Sequence, residues 1–221
     1  MIPKHIFVTG TDTEVGKTRI STGLIAVLQK QGVKAAGMKP VASGCDWIDG
    51  QWQNEDALAM IAQSPVSLPY RLINPYAFEP AIAPHIAASR VNTRIDISEI
   101  KQHFEQIKTE ADAVVVEGAG GWLVPLNQTE TMADLAVALD LPIVLVVAIK
   151  LGCINHALLS IESIQQRGLR IAGWVANHLD AQHESAEIID TLKHHIAAPC
   201  LGVVPKLLDG QSAADFLCRE D

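Results

Sequence analysis

The sequence predicts an α/β fold of the P-loop NTPase kind, with a mostly parallel central sheet and helices on both of its faces. Two observations predict the layered sheet. Short β-branched runs alternate with segments of helical periodicity, as strand–helix–strand units require. The runs are apolar at nearly every position, so burial is expected on both faces of each strand.

In chain order, strands are expected at His5 to Thr9, Ala35 to Val41, Ala113 to Glu117, Ile143 to Ile149, Ile171 to Asn177 and Leu201 to Val204. The helix Lys17 to Gln31 carries Ile20, Leu24, Val27 and Leu28 on one stripe, and Ile95 to Glu110 does the same with Ile97, Ile100, Phe104 and Ile107. Further helices are expected at Asp56 to Gln63, Thr131 to Leu139, Asn155 to Arg167 and Glu184 to Ile196. Gly32 and Gly168 stand where helix C-caps belong. The segment Ser64 to Pro84, with five prolines and two tyrosines and neither period, reads as an ordered loop over one end of the sheet. The tail after Lys206 is weakly patterned. Without a repeat, a low-complexity tract or a linker, residues 1–221 read as one domain.

The turn after the first strand gives the fold its chemistry. Gly10-Thr11-Asp12-Thr13-Glu14-Val15-Gly16-Lys17-Thr18 joins a strand to a helix, so inward-pointing amides and a helix N-terminus face one anion. In such a P-loop Lys17 reaches the β- and γ-phosphates of ATP, and the Thr18 hydroxyl is a ligand of Mg²⁺. The loop is one residue longer than GxxxxGK[ST], because its first glycine is Gly10 and the usual position holds Thr11.

A parallel sheet delivers the C-terminal ends of its strands to one edge, where ligands bind. Glu117 ends an apolar run and opens Gly118-Ala119-Gly120-Gly121, a carboxylate placed as in a Walker-B metal group or simply a polar strand end. Asp56 starts a helix and suits an N-terminal cap or dipole partner as well as a metal ligand. Lys39, before Pro40-Val41-Ala42-Ser43-Gly44, extends its ammonium toward the same edge or into solvent. Asn177 can meet a purine edge or cap a turn.

Composition narrows the function classes. With 25 acidic against 17 basic residues, a net charge of −8 and no basic cluster, the chain offers little to a polyanion, and no nucleic acid partner is expected. The longest apolar run, Leu141 to Ile149, has nine residues, about half of the ~20 that a membrane helix requires, so no membrane span is expected. The start lacks the pattern of a signal peptide, which points to the cytoplasm. Cys45, Cys153, Cys200 and Cys218 are scattered without a CxxC pair and are expected as free thiols. The eight histidines show no metal-binding spacing.

Taken together, these segments resemble the dethiobiotin synthetases, ATP-dependent cyclo-ligases of biotin biosynthesis. The resemblance rests on Gly10 to Thr18, Lys39 to Gly44, Asn74-Pro75-Tyr76 with Pro84-His85, Val116 to Gly121, Lys150 to His156 and Gly173 to Asn177, all in the family's order. It implies that 7,8-diaminopelargonate takes up CO₂ (from bicarbonate) as a carbamate, which ATP phosphorylates before the ureido ring closes. It also implies Lys39 and Lys17 as catalytic, Thr18, Asp56 and Glu117 around Mg²⁺, and Ser43 and Thr13 at the substrate. Nucleotide contacts are implied from Glu14, Val15, Gly16, Lys17, Thr18 and Arg19, from Asp56, from Glu117, Gly118, Ala119 and Gly120, and from Asn177 and Pro205. The family is homodimeric, and the segment carrying Leu151, Gly152, Cys153 and Asn155 is implied to reach the neighbouring subunit's substrate.

The alternative is a deviant-Walker ATPase switch that positions proteins or partitions plasmids. Those loops carry an additional lysine near their start, and Gly10 to Glu14 has none. An ATP-dependent amidoligase is a third possibility, but it normally adds a glutamine-hydrolysing domain for which the chain leaves no room.

Overall fold

A computed structural model describes residues 2–180 and 185–218. Its main sheet has six parallel strands in the order β10-β9-β8-β1-β7-β2. These are β1 (His5–Gly10), β2 (Ala35–Met38), β7 (Ala113–Gly121), β8 (Ile143–Ala148), β9 (Ile171–Asn177) and β10 (Cys200–Val204). Connections leave β1 and β8 in opposite directions along the sheet, which opens a crevice beyond their C-terminal ends.

Both faces of the sheet are covered, as the unbroken apolar runs predict. Phe7, Val114, Val116 and Ile143 pack under α4 (Pro84–Arg90), α5 (Ile97–Glu110) and α6 (Met132–Leu139). On that side too, Leu145, Val147 and Trp174 lie under α7 (Cys153–Gln166) and α8 (Ala186–His195). Ile6, Val8, Val115, Val144 and Val146 meet the opposite layer, which contains α1 (Lys17–Lys30) and Met60 of α2 (Glu55–Gln63). The α1 stripe of Ile20, Leu24, Val27 and Leu28 is buried, and each such side chain contributes roughly 1.5–3 kcal/mol.

Gly32 and Gly168 end their helices as expected. Gly32 has φ +78° and donates to the Gln29 carbonyl while Val33 donates to that of Leu28; Gly168 and Leu169 repeat the pattern on Gln165 and Ile164. A left-handed residue at this position lets two N–H groups satisfy the helix's last carbonyls, and glycine adopts it without a Cβ clash.

Four expectations change. The second strand stops at Met38, because the Lys39 N–H turns to the Ile73 carbonyl at 3.0 Å and Pro40 has no N–H to continue the ladder. The chain resumes as β3 (Val41–Ser43), paired in parallel with β6 (Tyr76–Phe78). The third strand continues beyond Glu117 to Gly121, following β1 after its β2 partner has ended at Val116. Ser64 to Pro84 is not a bare loop: it contains α3 (Tyr70–Ile73) and β6, held by buried Asn74, whose amide donates to the Lys39 carbonyl at 2.6 Å. Finally, residues Ala213–Phe216 form a 3₁₀ turn on α1, closed by a Ser212–Asp215 capping box, in the weakly patterned tail. Glu184, the expected start of α8, lies outside the described residues.

A hairpin of β4 (Asp46–Ile48) and β5 (Gln51–Gln53) intervenes between Ser43 and α2, with Trp47 and Trp52 packed edge to face. No helix among the described residues is long and apolar enough to cross a membrane.

Candidate active site

The loop from Gly10 to Thr18 is a rigid backbone cradle. Glu14 and Gly16 take left-handed conformations at φ +57° and +88°. A Cβ on Gly10 would overlap the Val15 side chain, and one on Gly16 would strike the Asn177 amide nitrogen. Val15 is fully buried, the Asn177 amide donates to its carbonyl at 2.8 Å, and the Thr11 N–H donates to the Val146 carbonyl at 3.1 Å. Three strand ends thus fix one turn.

Lys17 folds back onto the Asp12 carbonyl at 3.0 Å. Burial, then the neighbouring Lys39, push its pKa down to about 8 against the opposing pull of Glu117, Asp56 and Asp12. A cation is costly to bury without a counter-anion, so the site is primed for one. Asp12 also accepts from the Thr13 N–H at 2.7 Å and pairs with Lys150 at the end of β8, 3.7 Å away.

Beside this loop lies a buried polar knot. The Lys39 ammonium donates to Glu117 Oε1 at 2.7 Å and to the Gly118 carbonyl at 3.3 Å, and pairs with Asp56 Oδ2 at 3.1 Å. The Thr18 hydroxyl donates to the same Glu117 Oε1 at 2.9 Å. Burial favours the neutral form of both Lys39 and Asp56, yet Glu117 and Asp56 hold the lysine's pKa up, and Lys39, the Thr18 hydroxyl and Lys17 hold the Asp56 carboxyl below its usual range. Glu117 is completely buried and, among the described residues, its Oε2 has no hydrogen-bond partner.

The four residues Thr18, Lys39, Asp56 and Glu117, drawn from four separate segments, therefore meet at one place. Asp56 is not the helix cap: Asn54 is, accepting from the Asp56 and Ala57 N–H groups, which leaves the Asp56 carboxylate for Lys39. Asn177 neither caps a turn nor presents its whole amide outward, since its nitrogen braces the loop while Oδ1 is buried and has no partner among the described residues. Thr13 lies beside Gly120, whose Cβ would sit 3.5 Å from its hydroxyl. Among the described residues, the hydroxyl of half-buried Ser43 and one guanidinium nitrogen of Arg19 have no hydrogen-bond partner. Pro205 directly follows β10, and the His178 N–H donates to the adjoining Val204 carbonyl. One strand over, Leu151, Gly152 and Asn155 are exposed while Cys153 is buried, and the α7 N-terminus has no side-chain cap. Sequence reasoning did not find the Asp12–Lys150 pair, because nothing local marks a contact between two loops. A cavity of about 570 Å³ lies apart from this site, lined by residues such as His85, Arg94 and Asn127.

Comparison with known proteins decides among the three sequence readings. A family model described as an AAA domain matches residues 4–213. The chain is 50% identical over 208 residues to the ATP-dependent dethiobiotin synthetase BioD of Cellvibrio japonicus, covering 94% of this chain and 91% of that protein. It is 49% identical to the BioD of Pseudomonas paraeruginosa, over 94% and 92% of the two chains.

The chain belongs to the dethiobiotin synthetase family.

Among solved structures, the MinC:MinD cell division complex of Aquifex aeolicus matches with a TM-score of 0.56 at 19% identity, covering 93% of this chain and 82% of that one. The signal recognition particle receptor FtsY of Elizabethkingia anophelis matches with a TM-score of 0.53 at 13% identity, covering 91% and 58%. At such identities these likenesses establish the P-loop NTPase fold alone. The dethiobiotin synthetases match in sequence as well, across nearly the whole chain, so the positioning ATPase is set aside.

Proposed function

We propose that the chain converts 7,8-diaminopelargonate, CO₂ and ATP to dethiobiotin, ADP and phosphate. The observation that carries this reading is the meeting of Lys39, Thr18, Asp56 and Glu117 against the P-loop, within a member of this family.

The residues suit the groups the reaction requires. Two carboxylates and one hydroxyl make an incomplete oxygen set, appropriate to Mg²⁺, which keeps waters and takes substrate phosphate oxygens as further ligands. The unpartnered Glu117 Oε2 gives that set an available acceptor. The glycine cradle with Lys17 accommodates the triphosphate, and Asn177 Oδ1 offers an acceptor to a nucleobase amine. Thr18, Asp56 and Glu117 would hold Mg²⁺, which would supply neutralisation of the triphosphate's charge.

One amine of the substrate adds to CO₂ and loses a proton, giving a carbamate. A carbamate oxygen attacks the γ-phosphorus of ATP, and ADP leaves. The second amine then attacks the carbamoyl carbon, phosphate departs, and loss of the amine proton leaves the closed ureido ring. Carbamate and triphosphate repel each other, so cations must hold them together. Lys17 grips the phosphates and Lys39 stabilises charge on the transferring group. Ser43 and Thr13 position the carbamate side, with nucleotide contacts from Glu14 to Arg19, Glu117 to Gly120 and Pro205.

The working unit in this proposal is a cytoplasmic homodimer. Leu151 is 99% exposed on a loop that leads into the uncapped N-terminus of α7, a surface suited to receive the distal carboxylate of the neighbouring subunit's substrate. Incubation with ATP, Mg²⁺, bicarbonate and diaminopelargonate should give dethiobiotin by mass spectrometry, and sedimentation should give a dimer. No product from folded protein that binds ATP would overturn the reading.

A further inference from the structure

We propose that Lys39 occupies the place of the metal's charge in the nucleotide-free protein, and that it must be displaced from Glu117 and Asp56 before it can act in phosphoryl transfer. This deepens the metal-site assignment above and rests on it.

An ammonium has three N–H donors and no acceptor. Two are given to Glu117 Oε1 at 2.7 Å and to the Gly118 carbonyl at 3.3 Å, and Asp56 Oδ2 pairs with the same ammonium from 3.1 Å. Lys39 cannot reach the reacting group without giving up at least one of these partners.

Two of them are the carboxylates assigned to Mg²⁺. A divalent cation and an ammonium held by the same two carboxylates repel each other, strongly so where the surroundings are dry. Lys39 is only 4% exposed and Glu117 not at all, so little solvent screens that repulsion. Occupation by metal and by ammonium are therefore alternatives. The ammonium stabilises two otherwise unpaired carboxylates while the site awaits its ligand, and its release delivers a cation beside the P-loop.

Lys17 is held in the same manner, on the Asp12 carbonyl. Both site lysines thus begin on protein acceptors, but only Lys39 sits on the metal's ligands.

The test is direct titration with Mn²⁺, followed by electron paramagnetic resonance, on the full chain without nucleotide. Lys39→Met has no ammonium to displace and should bind Mn²⁺ at least about tenfold more tightly than the unaltered protein. Equal or weaker binding would overturn the exchange. If Lys39→Met does not fold, the unaltered protein carrying ¹⁵N-lysine supplies the answer. A buried, hydrogen-bonded ammonium gives a slowly exchanging NH₃⁺ signal, assigned by its loss in Lys39→Arg. It should move with Mg²⁺–ADP and stay in place with metal-free ADP, and a signal unmoved by Mg²⁺–ADP contradicts the proposal.

Neither measurement uses diaminopelargonate. A successful exchange alongside a failed dethiobiotin assay would remove only the substrate assignment. Failure of the unaltered protein to bind Mn²⁺ even with ADP would remove the metal site and this inference together.

Discussion

The Asn177 side-chain amide donates to the Val15 carbonyl at 2.8 Å, joining the end of β9 to a loop 162 positions earlier in the chain. Both residues are fully buried. Asn177→Ala leaves a buried carbonyl without its donor, at a cost of about 1–3 kcal/mol. Chemical denaturation should show that loss, and calorimetry should show weaker ATP binding as the loop loses its brace. Unchanged nucleotide affinity would mean that the loop holds its shape without Asn177.

Gly16→Ala combines two penalties, since φ is +88° and the added Cβ strikes the same Asn177 amide. Nucleotide binding should fall by more than about tenfold, given the 1–3 kcal/mol typical of left-handed strain alone. Gly50, at φ +80° but with nothing near its Cβ, provides the control. Gly50→Ala should bear only the backbone strain and bind ATP normally in the same calorimeter.

Glu117→Gln keeps the shape of the side chain and removes its charge. The Mg²⁺ concentration for half-maximal turnover should rise by about 10–100-fold, the usual scale for losing support at a metal site. A metal titration superimposable on that of the unaltered protein would exclude Glu117 from the metal's surroundings.

Lys17 has its proton held only to about pH 8 in the free protein, against an unperturbed value of 10.5. Bound phosphates favour the charged form, so binding ATP near pH 8 should take up about half a proton and binding at pH 6 almost none. Calorimetry in buffers of different ionisation enthalpy measures this uptake. The sign for stability follows from the depressed pKa. Between about pH 8 and 10.5 the unfolded chain binds more protons, so this group's penalty is full below pH 8 and fades as pH rises toward 10.5. Lys17→Met should abolish the proton uptake.

The main sheet was legible because burial on both faces leaves an unbroken apolar run, and the glycine-capped helices were legible because their stripe and stop signals are local. The segment 64–84 was not, since β6 exists only by pairing with β3, a strand of three residues. The short hairpin could have been found: Asp49-Gly50 between Trp47 and Trp52 is a turn signal flanked by aromatic residues. So could the 3₁₀ turn, through Ser212 and Asp215 at capping-box spacing.

At the site, residue identities were legible and their bonding was not. Lys39, Thr18, Asp56 and Glu117 carry the right chemistry at the ends of segments that a parallel sheet gathers at one edge. That Lys39 and Asp56 bond each other, and that Asn54 releases Asp56 from capping, follows from how α2 docks. No local pattern encodes that docking.

β7 outruns β2 by the stretch from Glu117 to Gly121, which rejoins β1 at Gly121 after a register shift and leaves a ledge of main chain without pairing along β2. Lys39 already uses one carbonyl of that ledge, at Gly118. A ligand gripping the rest would be recognised by peptide groups that every residue type possesses. Alanine scanning of charged residues would pass over such recognition. Amide-to-ester replacement at single positions between 118 and 121 would detect it, because it deletes one N–H at a time without adding a side-chain atom.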